Sequence, residues 1–386
     1  MAPPLRISLP IDVWNPSRGG AERYLARLAG ELAKRGHDVT VLCLSARDGD
    51  APHPEGLHVE RIAAPRFPRW LRELRFAQRC AHAHRRSGRD VLFAVRHALE
   101  ADVYQPHGGS LRASREGQGR ALSSGRRRLR DAAARLRPSL GVLLWLDREV
   151  FNCSPRLVTI SLSQKVEDDF RRLYPDVEFR FQRIPNPVDT DAFHDRDRAV
   201  CSEALRVAFA VPAGKPVAVF AAHHFGAKGL RQGLQALREA PDWYLVVAGR
   251  DRIARFARVA SSWGVSDRTR FAGDVSDLRP LYAGADAFLL PTFYDACSLS
   301  ALEAMACGTP AITTRANGAA DLIEDGVSGK IIDDPEDTRA LAAALEQIAR
   351  SASSFRAGAS RRASLLGWNG HVDRIENVLS EVARRK

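Results

Sequence analysis

Short apolar runs rich in β-branched residues alternate along the chain with stretches of helical periodicity. Leu5–Ile11, Val39–Leu44, Val59–Ala63, Asp90–Val95, Asp102–Gln105 and Val158–Ser161 predict strands. Between the first two, Ala21–Arg35 places Tyr24, Leu25, Leu28 and Leu32 on one helical face. Residues 70–86 and Ser163–Leu173 also predict helices, whereas Gly117, Gly119 and Gly125 argue for loop before helix over 110–137. A second series follows. Its predicted strands are Val217–Ala222, Tyr244–Ala248, Arg270–Phe271, Ala287–Leu290, Ala311–Thr313 and Lys330–Ile332, and its helices include Gly229–Glu239, Ile253–Trp263 and Leu299–Cys307. The tail, 369–385, carries Val372, Ile375, Val378, Leu379 and Val382 on one helical face.

This βαβ rhythm predicts an α/β protein of two doubly wound, Rossmann-like parallel sheets. The division falls at Ile184-Pro185-Asn186-Pro187-Val188-Asp189, where two prolines end any regular element. The expected domains are 1–187 and 188–366, with 367–386 as a C-terminal helix that packs back on the first. In such sheets ligands lie outside the carboxyl ends of the strands, so the turns that follow strands are the places to look for chemistry.

Charge adds a location. The formal net charge is +12, and residues 61–137, with 19 basic and 6 acidic side chains, hold the whole excess. One basic zone points to a local surface that meets phosphates rather than to general polyanion binding. It lacks aromatic interleaving or a recognisable module, which argues against nucleic acid. The six cysteines form no C-x-x-C and no zinc spacing, and they read as reduced and buried in a cytosolic protein. Met1–Arg6 carries no signal-peptide pattern, and the apolar run Val142–Leu146 is far too short to span a bilayer.

Four turns carry candidate chemistry. Ser17-Arg18-Gly19-Gly20 precedes a helix, so backbone N–H groups there can face a phosphate, although paired glycines also make ordinary turns. His107-Gly108-Gly109 follows a strand, where the imidazole either meets a ligand or is a surface histidine. His223-His224-Phe225-Gly226-Ala227-Lys228-Gly229 opens a helix and sets Lys228 where a cation can meet a phosphate. Asp295 through Pro310 is the most informative: Ser298 is an N-cap candidate, and Glu303 sits in the second turn of an apolar helix, where it needs a partner such as ligand hydroxyls. The strings Asp189-Thr190-Asp191 and Asp195-Arg196-Asp197 read as solvated linker charges rather than a metal site.

Together these segments resemble the family-4 glycosyltransferases of GT-B fold over nearly the whole chain. The resemblance is carried by Gly19–Arg23, His107-Gly108, Ile184–Phe193, Phe225–Gly229, Pro291–Pro310, and Asn317-Gly318 with Glu324–Gly329. Leu302–Pro310 is similar to the family's "LEAMAxGxP", and the Asp295–Glu303 spacing to its E-x7-E signature. The resemblance implies a retaining, metal-independent transfer of a hexose from a nucleotide sugar, with a UDP-sugar expected. Gly19 and Gly20 would meet the donor diphosphate, and Lys228 would neutralise it. Glu303 would take the ribose, while Asp295 with Cys297, Ser298 and Leu299 would hold the sugar. His107 would lie near the transferring sugar, and Gly273, Arg250 and His223 would frame the base and phosphate. The family usually has glutamate at the position of Asp295, and an arginine beside the phosphate lysine where this chain has His223, His224 and Ala227.

Phe225–Gly229 and Asp102–Tyr104 resemble the lipopolysaccharide core glucosyltransferase I group. That implies a saccharide or lipid-linked saccharide acceptor in cell-envelope glycan synthesis. Arg112, Arg126, Arg127, Arg128 and Arg130, ahead of Leu140–Leu146, suit an anionic membrane surface on the cytoplasmic side, or equally a solvated basic face over ordinary core. Two other functions fit the same fold: a noncatalytic nucleotide-sugar-binding protein, and a nucleotide-sugar epimerase.

Overall fold

The computed structural model describes residues 3–15, 20–47 and 54–385. In chain order the elements are β1 (Arg6–Trp14), α1 (Gly20–Lys34), β2 (Asp38–Ala46), β3 (Leu57–Arg61), α2 (Arg69–Ser87), β4 (Val91–Ala94), β5 (Val103–Tyr104), α3 (Leu111–Arg120), α4 (Ser124–Arg135), α5 (Pro138–Asn152), β6 (Val158–Ser161), α6 (Gln164–Leu173) and β7 (Arg180–Arg183). They continue as α7 (Arg198–Ala208), β8 (Val217–Ala221), α8 (Leu230–Glu239), β9 (Tyr244–Ala248), α9 (Ile253–Ser262), β10 (Thr269–Gly273), α10 (Arg279–Gly284), β11 (Ala287–Leu290) and α11 (Leu299–Ala306). The chain closes with β12 (Ala311–Thr314), β13 (Gly329–Ile332), α12 (Thr338–Arg350), α13 (Ala352–Ser364) and α14 (Trp368–Arg384).

The chain divides into two units. One comprises Met1–Ser114, Ser123–Pro185 and Asn369–Lys386; the other comprises Arg115–Leu122 and Asn186–Trp368. The first holds a seven-stranded sheet in the order β3-β2-β1-β4-β5-β6-β7, and its pairings are parallel. The interior strands β4, β5 and β6 are buried along their whole length, as expected of strands covered on both faces. The edges are polar: β3 reads Leu-His-Val-Glu-Arg and β7 reads Arg-Phe-Gln-Arg. Charged edges deter further strand addition, and they also remove the apolar signal that would have revealed β7 in the sequence.

Within this unit α14 lays its apolar face inward. Val372, Ile375, Val378, Leu379 and Val382 are buried. At ~1.5–3 kcal/mol for each fully buried aliphatic side chain, an upper bound, this face is enough to hold the helix. Arg35, just past α1, ties the outer face down through Asp373 Oδ1 at 2.6 Å and Glu376 Oε2 at 2.8 Å.

The second unit holds a six-stranded parallel sheet, β10-β9-β8-β11-β12-β13. It also takes residues 115–122 of the Arg-rich segment. The loop expected around Gly117 and Gly119 is helix α3. Gly117 is there because of packing: a Cβ on it would lie 2.6 Å from the Phe293 carbonyl oxygen and 2.7 Å from Tyr294 Cβ. Helix propensity is sacrificed so that the helix can approach another backbone.

Among the cysteines the expected burial holds for Cys43, Cys80, Cys297 and Cys307, whereas Cys153 is exposed and Cys201 half-buried. Cys153 caps the end of α5 on the surface, a place an apolar run did not mark.

Candidate active site

In the second unit, strand order reverses between β8 and β11, the position where a doubly wound sheet opens a crevice. The loops leaving these two strands are locked together. Phe293 N–H donates to the Ala227 carbonyl at 3.0 Å, and the Thr292 hydroxyl bridges the Ala227 and Tyr294 carbonyls at 3.3 and 3.0 Å. Gly229 is left-handed (φ 82°), and a Cβ there would stand 2.0 Å from the Pro291 carbonyl oxygen. Only glycine permits that approach.

This locking brings Lys228 and Asp295 together, 67 positions apart in sequence. Lys228 Nζ donates to Asp295 Oδ2 at 2.5 Å and to the Tyr294 carbonyl at 3.3 Å, with the two side chains 23% and 20% exposed. An ammonium has three donors and a carboxylate several acceptor sites. The pair therefore orients both groups and leaves each with capacity for a ligand. The sequence suggested each residue separately; their pairing is a product of the fold.

Asp295 is held from behind by the loop after β12. Its N–H donates to Ala316 O and its carbonyl accepts from Gly318 N–H, both at 2.9 Å. Asn317, buried, organises this corner. Its Oδ1 accepts from Ser298 N–H at 3.2 Å and Ala319 N–H at 3.0 Å, and its Nδ2 donates to Thr313 Oγ1 at 3.0 Å. Asn186, between the two prolines of the interdomain string, donates Nδ2–H to the Cys297 carbonyl at 2.8 Å. Ser298 caps α11, its Oγ accepting from Ala301 N–H at 3.4 Å. Burial pushes the Cys297 thiol up to about 12. It is therefore no thiolate nucleophile, and what it offers is main chain. Leu299 opens the helix and Glu303, half-buried, sits in its second turn.

The next loops shape the rim. Asp251 accepts from Phe225 N–H and from Arg252 N–H, each at 2.6 Å, which fixes the start of the 225–229 turn. His223 Nδ1 accepts from Arg250 N–H at 3.3 Å. The Arg250 guanidinium lies 2.6 Å from Asp274 and holds that carboxyl below the ordinary carboxylate range. Gly273 is left-handed, and its carbonyl accepts from Gly249 N–H at 2.6 Å. Asp251, Asn317 and Asn186 were not singled out as site residues from the sequence. Their signal, an Asx side chain at a strand's carboxyl end or a lone Asn flanked by prolines, is too common to stand out.

In the first unit Gly20 opens α1, and Gly19 lies outside the described residues. His107, after β5, stacks on the buried Tyr24 ring at 4.7 Å between centroids and 28° between planes. The turn after it is pinned by Ser110, whose Oγ donates to the buried Asp147 at 2.8 Å; Tyr174 donates its hydroxyl to the same carboxylate at 2.9 Å. Arg112 is exposed on α3. Helix α4 buries none of its residues, and Arg126, Arg127 and Arg128 stand in solvent on it, while Arg130 folds onto Asp131 at 2.8 Å. Beside them Leu129 and Leu136 are 73% and 83% exposed, and Trp145 on α5 is exposed too. Among the described residues no helix is long and apolar enough to cross a membrane. Nor does any group of three or more His, Cys, Asp or Glu side chains there stand ready to hold a metal ion.

Comparison with known proteins matches both halves. Residues 18–192 match the family described as Glycosyltransferase Family 4, and residues 202–363 match Glycosyl transferases group 1. The lipopolysaccharide glucosyltransferase WaaG of Escherichia coli K12 is 26% identical over 332 residues, 82% of each chain. The lipopolysaccharide core biosynthesis glycosyltransferase LpsE of Rhizobium meliloti is 28% identical over 346 residues, 86% of this chain and 85% of that one. The crystal structure of WaaG superposes with a TM-score of 0.77 at 22% identity, covering 97% of this chain and 99% of the other. Anabaena HepE, solved with UDP and glucose, gives 0.69 at 18% identity over 97% and 99%. With both sheets, the returning C-terminal helix and matches over both halves in hand, the chain belongs to the family-4, group 1 glycosyltransferases of GT-B fold.

Proposed function

We propose that this enzyme moves a hexose from a UDP-sugar, with retention at the anomeric carbon, onto a saccharide or lipid-linked saccharide of the cell envelope. The observation that carries this reading is the Lys228–Asp295 pair at the strand-order reversal, beside the N-terminus of α11. The bond that breaks joins the anomeric carbon to a diphosphate oxygen, which leaves with the electron pair. Negative charge grows on that oxygen, and fixed donors facing it supply the largest share of catalysis. Lys228 is the cation for it, and Gly19 and Gly20 are the residues that the family resemblance assigns to the same diphosphate. Asp295, oriented by Lys228, accepts from a sugar hydroxyl together with the main chain of Cys297, Ser298 and Leu299. Glu303 accepts from the ribose. His107 lies at the transferring sugar. Arg250, tied to Asp274, and His223, tied to the Arg250 main chain, frame the base with Gly273.

The relatives' names support an envelope acceptor, and the UDP named with HepE supports the donor. The test is transfer and hydrolysis by the purified chain across a panel of nucleotide sugars, with the product's anomeric configuration read by NMR. An inverted product overturns the retaining mechanism. Binding without turnover of any donor points to a noncatalytic nucleotide-sugar-binding protein, and conversion of the donor with no acceptor requirement points to an epimerase. Within this reading, Glu303→Ala raises the donor dissociation constant about 10-fold or more, the scale of losing hydrogen bonds to a charged acceptor; calorimetry that finds unchanged donor affinity removes Glu303 from the site.

The exposed Arg126–Arg128 row, with Leu129, Leu136 and Trp145, reads as a peripheral contact with the anionic inner face of the cytoplasmic membrane. Each basic residue near such a surface contributes about 1 kcal/mol. Changing Arg126, Arg127 and Arg128 together to Glu is expected to abolish sedimentation with phosphatidylglycerol vesicles at low salt while leaving turnover of a soluble acceptor intact. Unaltered sedimentation places the membrane contact elsewhere.

A further inference from the structure

The first unit contains a buried polar chain that the reaction scheme leaves unused. Tyr24, on α1, is 3% exposed and His371, on α14, is fully buried. The Tyr24 hydroxyl lies 2.9 Å from His371 Nε2, 2.9 Å from Gln105 Nε2 and 3.1 Å from Gln105 Oε1. His371 Nδ1 lies 3.0 Å from the Pro185 carbonyl.

The proton positions in this chain follow from its ends. The Pro185 carbonyl only accepts, so His371 Nδ1 carries a hydrogen. Burial depresses the His371 imidazolium to about 3, so the ring is neutral and Nε2 must accept. Tyr24 has one hydrogen and donates it there. Gln105 then donates its amide hydrogen to the Tyr24 oxygen. The chain runs from Gln105 to Tyr24 to His371 to Pro185, because a Tyr24 hydrogen turned to Gln105 Oε1 would leave His371 Nε2 facing a hydroxyl oxygen with no hydrogen between them. A satisfied buried chain of this kind rigidifies its members. The Tyr24 ring it locks is the surface on which His107 stacks. The edge of the His371 ring also meets Tyr24 at 5.5 Å between centroids and 77° between planes, so the tyrosine is held by ring packing as well as by its hydroxyl.

We propose that Tyr24 and His371 are positioning residues that set the plane of the His107 imidazole, referenced through Pro185 to the end of the first unit's main chain. The role of that imidazole at the transferring sugar rests on the function proposed above; the positioning does not. Each of the four groups comes from a different segment: α1, the turn after β5, the interdomain string and α14. A local sequence change near His107 is therefore unnecessary to move it.

The test has one arm that needs no activity. In the full chain labelled at histidine, the His107 ring signals are assigned by their loss in His107→Ala. They are expected to be shifted upfield by the Tyr24 ring current. Tyr24→Leu moves them toward the values of a solvated histidine. His371→Leu, which cuts the chain, and Tyr24→Phe, which keeps the ring but loses the hydroxyl, produce part of that shift. His371→Gln, which retains one donor and one acceptor, restores the wild-type signals. Melting temperatures identify any variant that is simply unfolded, and Tyr24→Phe and His371→Gln are the conservative members. His107 signals unmoved by Tyr24→Phe and His371→Leu in folded protein overturn the proposal.

The second arm uses UDP-glucose and follows UDP release. Tyr24→Phe lowers turnover about 10-fold in the wild-type background with donor KM within about 2-fold, and has no further effect in the His107→Ala background, the non-additivity of residues acting through one another. Additive losses overturn the proposal. If the NMR arm behaves as expected while His107→Ala leaves turnover unchanged, the positioning stands and the assigned role of His107 falls.

Discussion

Lys228→Ala is expected to lower turnover by roughly 10²–10³-fold, the scale seen when one preorganised donor to a developing negative charge is removed. Two effects add here. The leaving diphosphate loses its cation. The Asp295 carboxylate, now unpaired at the strand-order reversal, presents an uncompensated negative charge where the diphosphate must form. Steady-state kinetics should show the loss mainly in kcat, because charge stabilised only at the transition state does not hold the ground state. Lys228→Arg restores charge but not a compact ammonium on a flexible stem, so only partial recovery is expected. Wild-type turnover in Lys228→Ala transfers the role to another cation and, with it, removes the observation on which the proposed function stands.

The largest expected effect on stability is at Gly249. Its φ is +129°, and a Cβ there would sit 1.8 Å from the Ala222 carbonyl oxygen. That oxygen cannot easily yield, because Ala222 N–H is bonded to Ala248 O at 3.1 Å in the β8–β9 ladder. Backbone strain and overpacking each cost about 1–3 kcal/mol, so Gly249→Ala should lose ~3–5 kcal/mol. For a unit of this size that is a fall in Tm of about 6–20 °C. Gly326 provides the control. It is also left-handed, at +80°, but nothing lies within 4 Å of its Cβ position, so Gly326→Ala should cost only about 1 kcal/mol. Equal losses at the two positions would show that φ alone, and not the close approach of the two strand ends, sets the requirement. Because Gly249 also anchors Gly273 and leads into Arg250 and Asp251, the same variant should weaken donor binding.

The parallel strands were legible because burial on both faces writes continuous apolar runs into them, as in Val217–Ala221 and Ala287–Leu290. The edge strand β7 was not, since Arg180, Gln182 and Arg183 face solvent and leave no pattern. Helix α3 was hidden for the opposite reason. Gly117 and Gly119 look like a loop when only local propensity is weighed, and the close approach of the helix to Phe293 and Tyr294 is invisible until the chain is packed. In the candidate site, glycine turns and the Ser298 cap announce themselves by residue type. Asn186 and Asn317 do not, because an asparagine that bonds across 111 positions looks in sequence like one that caps a turn.

Hydrophobic period and the order of strands and helices were enough to determine two doubly wound parallel sheets, and residue type alone picked out candidate turns after strands. Those properties are local or summed over local stretches. Only the tertiary structure decided that Lys228 is fixed by Asp295, that Asn317 and Asn186 hold the main chain around Asp295 and Cys297, and that Tyr24, Gln105, His371 and Pro185 form one hydrogen-bonded chain beneath His107. Each joins segments far apart in sequence through a hydrogen bond a few ångströms long. Such a contact leaves no periodicity or spacing behind, because its geometry is set by where the strands end in space.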